Sequence, residues 1–193
     1  MPVPGWDLTI CGLAELRDHG ARDVTHVLSI IDPDHPDPTD FAQYGRRHDR
    51  LTLRFHDIID DLPGHVPPTS AHVEQLLRFG ADLDAHHGGA GLGHLLIHCH
   101  AGVSRSTAAM AILMARRAPL GDEAGVFERL VRVRPQAWPN SRMVAFGDGL
   151  LGRGGRLVEA LRHHYRRQAA ALPDMAAGMG RIGREAEVPE GWR

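Results

Sequence analysis

The chain has 193 residues, of which 42% are hydrophobic and 24% charged, with a formal net charge of −2 and a sequence pI near 6.7. That is enough to bury one good core, and the charge gives no electrostatic case for nucleic acid or an anionic membrane. Two cysteines, Cys11 and Cys99, make no disulfide framework, and no apolar run approaches the length of a membrane span.

The start, Met1 to Asp7, has no charged n-region and no apolar stretch of a secretory leader. A soluble, cytoplasmic protein is expected. Leu8-Thr9-Ile10-Cys11 reads as a first strand, and Leu13 to His19 as a short helix that Gly20 can end. His26-Val27-Leu28-Ser29-Ile30-Ile31 is an apolar strand. Prolines and aspartates from Asp32 to Pro38 then make a loop. Leu51 to Phe55 alternates as a half-buried strand does, and Asp57 to Pro68 is a loop. Thr69 or Ser70 can cap a helix that runs beyond Phe79, and His86 to Gly93 is a glycine-rich turn. After the Leu95–Ile97 strand come helices over Ala108–Arg117, Asp122–Arg134, Asn140 toward Leu151, and Arg156–Ala171. From Pro173 the chain is rich in Gly, Met and charge without a clear period. The expected organisation is one domain over 1–167 and a loosely structured tail over 168–193. Strands alternating with helices predict an α/β domain with a central, mostly parallel sheet flanked by helices. Arg153, Arg156, Arg162, Arg166 and Arg167 read as a solvated helix face.

All 22 basic residues are arginine, so any anion contact must come from Arg, His and backbone. The 14 histidines are scattered, no metal-ligand spacing appears, and neither a metal nor another cofactor is implied.

Chemistry concentrates in Leu95-Leu96-Ile97-His98-Cys99-His100-Ala101-Gly102-Val103-Ser104-Arg105-Ser106-Thr107. A strand feeds a tight loop that opens a helix, which aims backbone N–H groups and the positive end of the helix dipole into the loop. A phosphate dianion fits a cradle made by His100, Ala101, Gly102, Val103, Ser104 and Arg105. The same field favours the thiolate form of Cys99. Arg105 adds a planar fork for two phosphate oxygens. Thiolate, anion cradle and guanidinium describe nucleophilic phosphoryl transfer. Catalytic loops in such sheets follow strand C-termini. Cys99 lies two residues after Ile97, and Asp57 two after Phe55.

His98, Cys99, Arg105 and Ser106 fill the His-Cys-x5-Arg-Ser/Thr pattern, and the segment resembles the signature loop of the cysteine-dependent protein tyrosine phosphatase superfamily. Ala101-Gly102 and Ser104 resemble its dual-specificity-like branch. Pro135 to Asn140 resembles that branch's segment ending in Pro-Asn, and Asn140 through Arg153 resembles the bacterial predicted tyrosine phosphatases. The resemblance spans about residues 8–167.

It implies a phosphatase-like fold with the signature loop between a strand and a helix. It also implies a phosphocysteine at Cys99 and an aspartate that protonates the leaving group and later activates water. Asp57 is the first choice for that acid, since it sits closest to the strand end, with Asp60 and Asp61 as alternatives. His98 would hold the loop and support the thiolate. Ser106 would bond the Cys99 sulfur, and Asn140 would fix the loops or simply cap a helix. The expected substrate is a phosphorylated protein, most of all phosphotyrosine, or a small phosphomonoester. Alternatives are an inositol-phosphate or nucleotide phosphatase, or a phosphate-binding adaptor with little turnover. Cys11 could form a reversible disulfide with Cys99, as second cysteines do in some relatives, or fill core.

Overall fold

Among the described residues four apolar runs become four parallel strands: β1 (Trp6–Cys11), β2 (His26–Ile31), β3 (Asp49–Arg54) and β4 (Gly93–His98), in the order β1-β4-β2-β3. The computed structural model describes residues 6–45, 47–86 and 93–192. Burial explains the order. β2 and β4 are buried at every position and take the centre, while β1 and β3 carry partly exposed residues and form the edges. Leu28 lies beside Leu51 on one side and Ile97 on the other. All the strands run one way, so all four C-terminal ends open on one edge of the sheet.

Side chains alternate between two faces. Ile10, Leu28, Ile30, Leu53, Leu95 and Ile97 point into the larger core under the helices. Val27 and Leu96 point the other way, into a smaller cluster with Leu16, Phe41 and Tyr44. That second face is covered by 3-10 turns at Leu13–His19 and Asp40–Gln43 rather than by an α-helix.

Among the described residues six helices complete the fold: α1 (Ser70–His86), α2 (Arg105–Arg117), α3 (Glu123–Val133), α4 (Ser141–Leu150), α5 (Arg156–Ala171) and α6 (Pro173–Arg181). α2 is the central one. It is buried from Arg105 through Ala115 and packs on the sheet and on α1, α3 and α4. Its alanines let those neighbours approach closely. It also starts at Arg105, earlier than its apolar run at Ala108, so Arg105, Ser106 and Thr107 form its first turn. α3 buries Val126, Phe127 and Leu130 on one stripe, each worth about 1.5–3 kcal/mol relative to exposure. Among the described residues no helix is long and apolar enough to cross a membrane.

Two expectations are corrected here. Residues from 168 onward were expected to be loose, but α5 runs to Ala171, α6 follows, and Ala176, Met179 and Val188 join the main core. α6 has nine residues, too few turns for its Met175, Ala176 and Met179 to stand out as a period. Arg153 is not on a solvated face. It is buried against Glu123 and donates to the carbonyls of Pro119 and Ala118. The glycine-rich turn expected over His86–Gly93 lies, apart from its ends, outside the described residues.

α5 also carries a buried histidine. The His164 ring stacks on Phe127 and bonds the Ala137 carbonyl at 2.9 Å, and burial holds its pKa down to about 4. Burial holds His98 lower still, at about 3. Above pH ~6.5 both rings are neutral whether folded or unfolded. Below it the unfolded chain takes up protons that the folded chain refuses, so stability falls with pH by ~1.4 kcal/mol per pH unit for each ring. His164→Phe keeps the stack and removes one titration, while Gln168 still bonds the Ala137 carbonyl. Urea unfolding between pH 7 and 5 should show the variant losing stability more slowly than the parent. Equal slopes would mean that His164 is protonated when folded.

Candidate active site

Each strand delivers a loop to the same edge, and the residues just past three strand ends converge there. β2 delivers Asp32, β3 delivers Phe55 and Asp57, and β4 delivers Cys99 and the loop to Ser104. The loop bends back through Gly102 at φ +68, where a Cβ would come within 2.5 Å of the Cys11 backbone. Only glycine fits that approach and that dihedral without strain.

The five carbonyls from His100 to Ser104 all accept hydrogen bonds. Leu13 N–H donates to His100 O at 3.0 Å. Arg134 donates to Ala101 O at 3.2 Å and Gly102 O at 3.0 Å while its fork grips both oxygens of Glu15. Trp138 N–H reaches Val103 O at 2.9 Å, and Ala108 N–H reaches Ser104 O at 2.9 Å. With its carbonyls turned outward, the loop turns its N–H groups toward its own concave side, above the first turn of α2. The Arg134 guanidinium holds the Glu15 carboxyl below its usual range, so this clamp stays charged.

Inside the loop, Cys99 is 2% exposed, and its Sγ lies 3.1 Å from Ser106 Oγ. Arg105 Nη1 donates to Asp32 Oδ1 and to Phe55 O, both at 2.6 Å. Its Nε is buried with no hydrogen-bond partner among the described residues, 4.0 Å from Asp57 Oδ2. A buried donor without an acceptor is costly, and an oxyanion on the cradle would satisfy it. His98 is fully buried and neutral, bonded at 2.7 Å to Ser29 Oγ, which Arg50 also holds. It anchors the strand end but brings no charge to the sulfur. His100 sits at the rim, with its ring 4.8 Å from that of His35, and accepts from Asp32 N–H at 3.3 Å. Burial and the Arg105 cation hold it below the ordinary histidine pKa.

Of the three candidate acids, Asp57 alone is brought to this loop. Its Oδ1 accepts from Ser104 Oγ at 2.7 Å, Asn140 Nδ2 at 3.0 Å and Arg184 Nη1 at 3.1 Å. Asp60 is exposed, and Asp61 pairs outward with Arg142 at 2.8 Å. Asn140 bonds in two directions. Its Oδ1 caps α4 by accepting from Met143 N–H at 3.1 Å, and its Nδ2 ties down Asp57 and Ile58 O. The segment before it is held by α5, whose Gln168 donates to Pro135 O and Ala137 O and whose Tyr165 donates to Pro139 O.

Cys11 lies behind the loop, buried, and burial together with the Glu15 carboxylate pushes its thiol up to about 12. A thiol held protonated is a poor partner for exchange with Cys99. Among the described residues no group of three or more His, Cys, Asp and Glu could hold a metal ion.

The sequence reading missed Asp32, Arg134 and Arg184. Asp32 was findable, since it follows an apolar strand as Asp57 and Cys99 do. Arg134 looked like an ordinary basic residue ending a helix. Arg184 lay in the stretch taken for a tail.

No protein-family model and no curated protein sequence matches the chain. Solved structures do. The chain is similar to the PTP-2 phosphatase of Cydia pomonella, with 25% identity, coverage of 74% of this chain and 84% of that one, and a TM-score of 0.56. It is similar to DUSP15, with 22% identity, coverage of 86% and 94%, and a TM-score of 0.52. It is also similar to the Yvh1 phosphatase domain from Chaetomium thermophilum, with 21% identity, coverage of 78% and 93%, and a TM-score of 0.51. The fold is that of these phosphatases.

Gly102→Ala tests the loop's construction. The left-handed dihedral and the contact with Cys11 should together cost at least ~1 kcal/mol. Chemical denaturation measures this, and an unchanged midpoint would show that the loop can relax around a methyl group.

Proposed function

We propose that this protein hydrolyses phosphate monoesters through a phosphocysteine at Cys99, with phosphotyrosine in protein and similar aryl phosphates as its substrate class. The observation that carries this is Arg105: its guanidinium is fixed by Asp32 and Phe55 O under the loop that Cys99 heads, yet Nε is left buried without an acceptor.

Cys99 Sγ attacks phosphorus in line with the ester oxygen. The S–P bond forms, the P–O bond breaks, and Asp57 gives the leaving oxygen its proton. The loop N–H groups and Arg105 hold the three equatorial oxygens as charge redistributes. Water then attacks the phosphocysteine and gives a proton back to Asp57, and Ser106 Oγ–H donates to the departing sulfur. Inorganic phosphate leaves and the thiolate is restored.

The arginines around the cradle favour a single phosphate. Arg134 is spent on Glu15, Arg54 on Asp37 and three carbonyls, and Arg184 on Glu187 and Asp57. The chain has no lysine to offer a second phosphate a cation. That argues for a monoester of an apolar alcohol over an inositol polyphosphate or a nucleotide. A thiolate nucleophile also calls for a reducing compartment, which fits the cytoplasm.

Cys99→Ser should abolish aryl phosphate hydrolysis while leaving the unfolding midpoint in place; near-normal turnover would remove the phosphocysteine. Asp57→Asn should slow phenyl phosphate by ~10²–10⁴-fold and slow 2,4-dinitrophenyl phosphate much less, because that leaving group needs no proton. Asp61→Asn is the control. If Asp61→Asn shows the leaving-group dependence and Asp57→Asn does not, the acid lies deeper in the loop.

A further inference from the structure

We infer that Arg184, delivered by the C-terminal segment after α6, is a positioning residue that aims the acid Asp57 and completes the site from outside the signature motif. This rests on the reading of Asp57 as the acid.

The chain turns at Gly183, φ +80, and sends Arg184 back into the interior, where it is 2% exposed. One guanidinium nitrogen, Nη1, bridges Ser104 Oγ at 2.6 Å and Asp57 Oδ1 at 3.1 Å. The other, Nη2, bonds Glu187 Oε2 at 2.5 Å. Glu187 is fully buried as well, and its other oxygen accepts from Ser141 N–H, at the start of α4, at 2.7 Å. Val188 seats the segment in the main core. So Arg184 is anchored at one end to α4 and applied at the other to the acid and the signature loop. Burial works against its charge, but Glu187 and Asp57 hold it firmly protonated.

The effect on Asp57 follows from which oxygen is used. Oδ1 receives three donors, from Ser104, Asn140 and Arg184. An oxygen so loaded has no lone pair left for a proton. The proton to be transferred therefore rides on Oδ2, the oxygen that faces Arg105. Asn140 and Ser104 alone would leave the carboxylate free to rotate and exchange its oxygens. A planar cation held from behind by a buried carboxylate removes that freedom.

The test uses the full chain and two esters. Arg184→Met would strand the Glu187 charge, so it is paired with Glu187→Gln, which still accepts from Ser141 N–H. The double variant should lose on the order of 10- to 100-fold in kcat on phenyl phosphate and much less on 2,4-dinitrophenyl phosphate, with KM little changed. Introduced into Asp57→Asn, the same pair should add almost nothing, because residues that act through one group are not additive. If the double variant does not fold, Arg184→Lys takes its place. Lysine keeps the charge but cannot bridge all three partners, so the selective loss should persist in smaller degree. Equal losses on both esters, or the same factor in the Asp57→Asn background, overturn the inference and leave Arg184 a structural residue. Should Asp57→Asn itself show no leaving-group selectivity, the acid assignment falls and this inference falls with it.

Discussion

A tight loop that turns its N–H groups to its concave side must place its carbonyls somewhere else, and the rest of this structure is arranged around that need. Five successive carbonyls, from His100 to Ser104, accept from Leu13, Arg134, Trp138 and Ala108. Each donor comes from a different part of the chain: the 3-10 turn after β1, the end of α3, the segment before α4, and α2. The loop's shape is therefore a property of the whole domain. Its own thirteen-residue motif supplies the cysteine, the arginine and the hydroxyls, but the concavity is imposed by partners that lie before and after it.

That dependence explains what was legible in the sequence. The alternation of strands and helices, the strand ends, and the residues Cys99, Arg105, Ser106 and Asp57 could be read because local signals carry them: an apolar run, a turn, an apolar helix. Asn140 could be read as a cap for the same reason. Arg134 could not, because an arginine at a helix C-terminus has a sufficient local explanation in the helix dipole. Nor could Tyr165 and Gln168, which hold the Pro135–Asn140 carbonyls but on the page look like one face of an ordinary helix. Arg184 was hidden for another reason. Its segment has no period, and its order comes from Glu187 and Val188 meeting a core assembled by residues far away in the chain. Boundaries erred likewise: α2 starts at Arg105 because Ala108 N–H bonds Ser104 O, whereas the apolar pattern begins only at Ala108.

Two buried ion pairs, Arg153–Glu123 and Arg184–Glu187, invite an account in terms of stability, and it would mislead. Taking two charges out of water costs several kcal/mol per ion, and their attraction offsets this only with good geometry and further hydrogen bonds. Apolar residues of the same shape would often serve stability as well. What an apolar pair could not do is direct a donor. Arg153 ties carbonyls of Ala118 and Pro119 at the end of α2 to the turn before α5, and α5 in turn holds the Pro-Asn segment. Arg184 ties α4 to Asp57 and Ser104. Removing either carboxylate would take the buried counter-charge from a buried cation, a change that typically costs ~3–5 kcal/mol, so neither arrangement can drift by a small amount. The pairs convert a choice among nearly equal packings into one geometry. At Asp57, whose Oδ1 takes three donors while Oδ2 faces Arg105, that restriction fixes which carboxylate oxygen points into the site, which the same volume of hydrocarbon could not do.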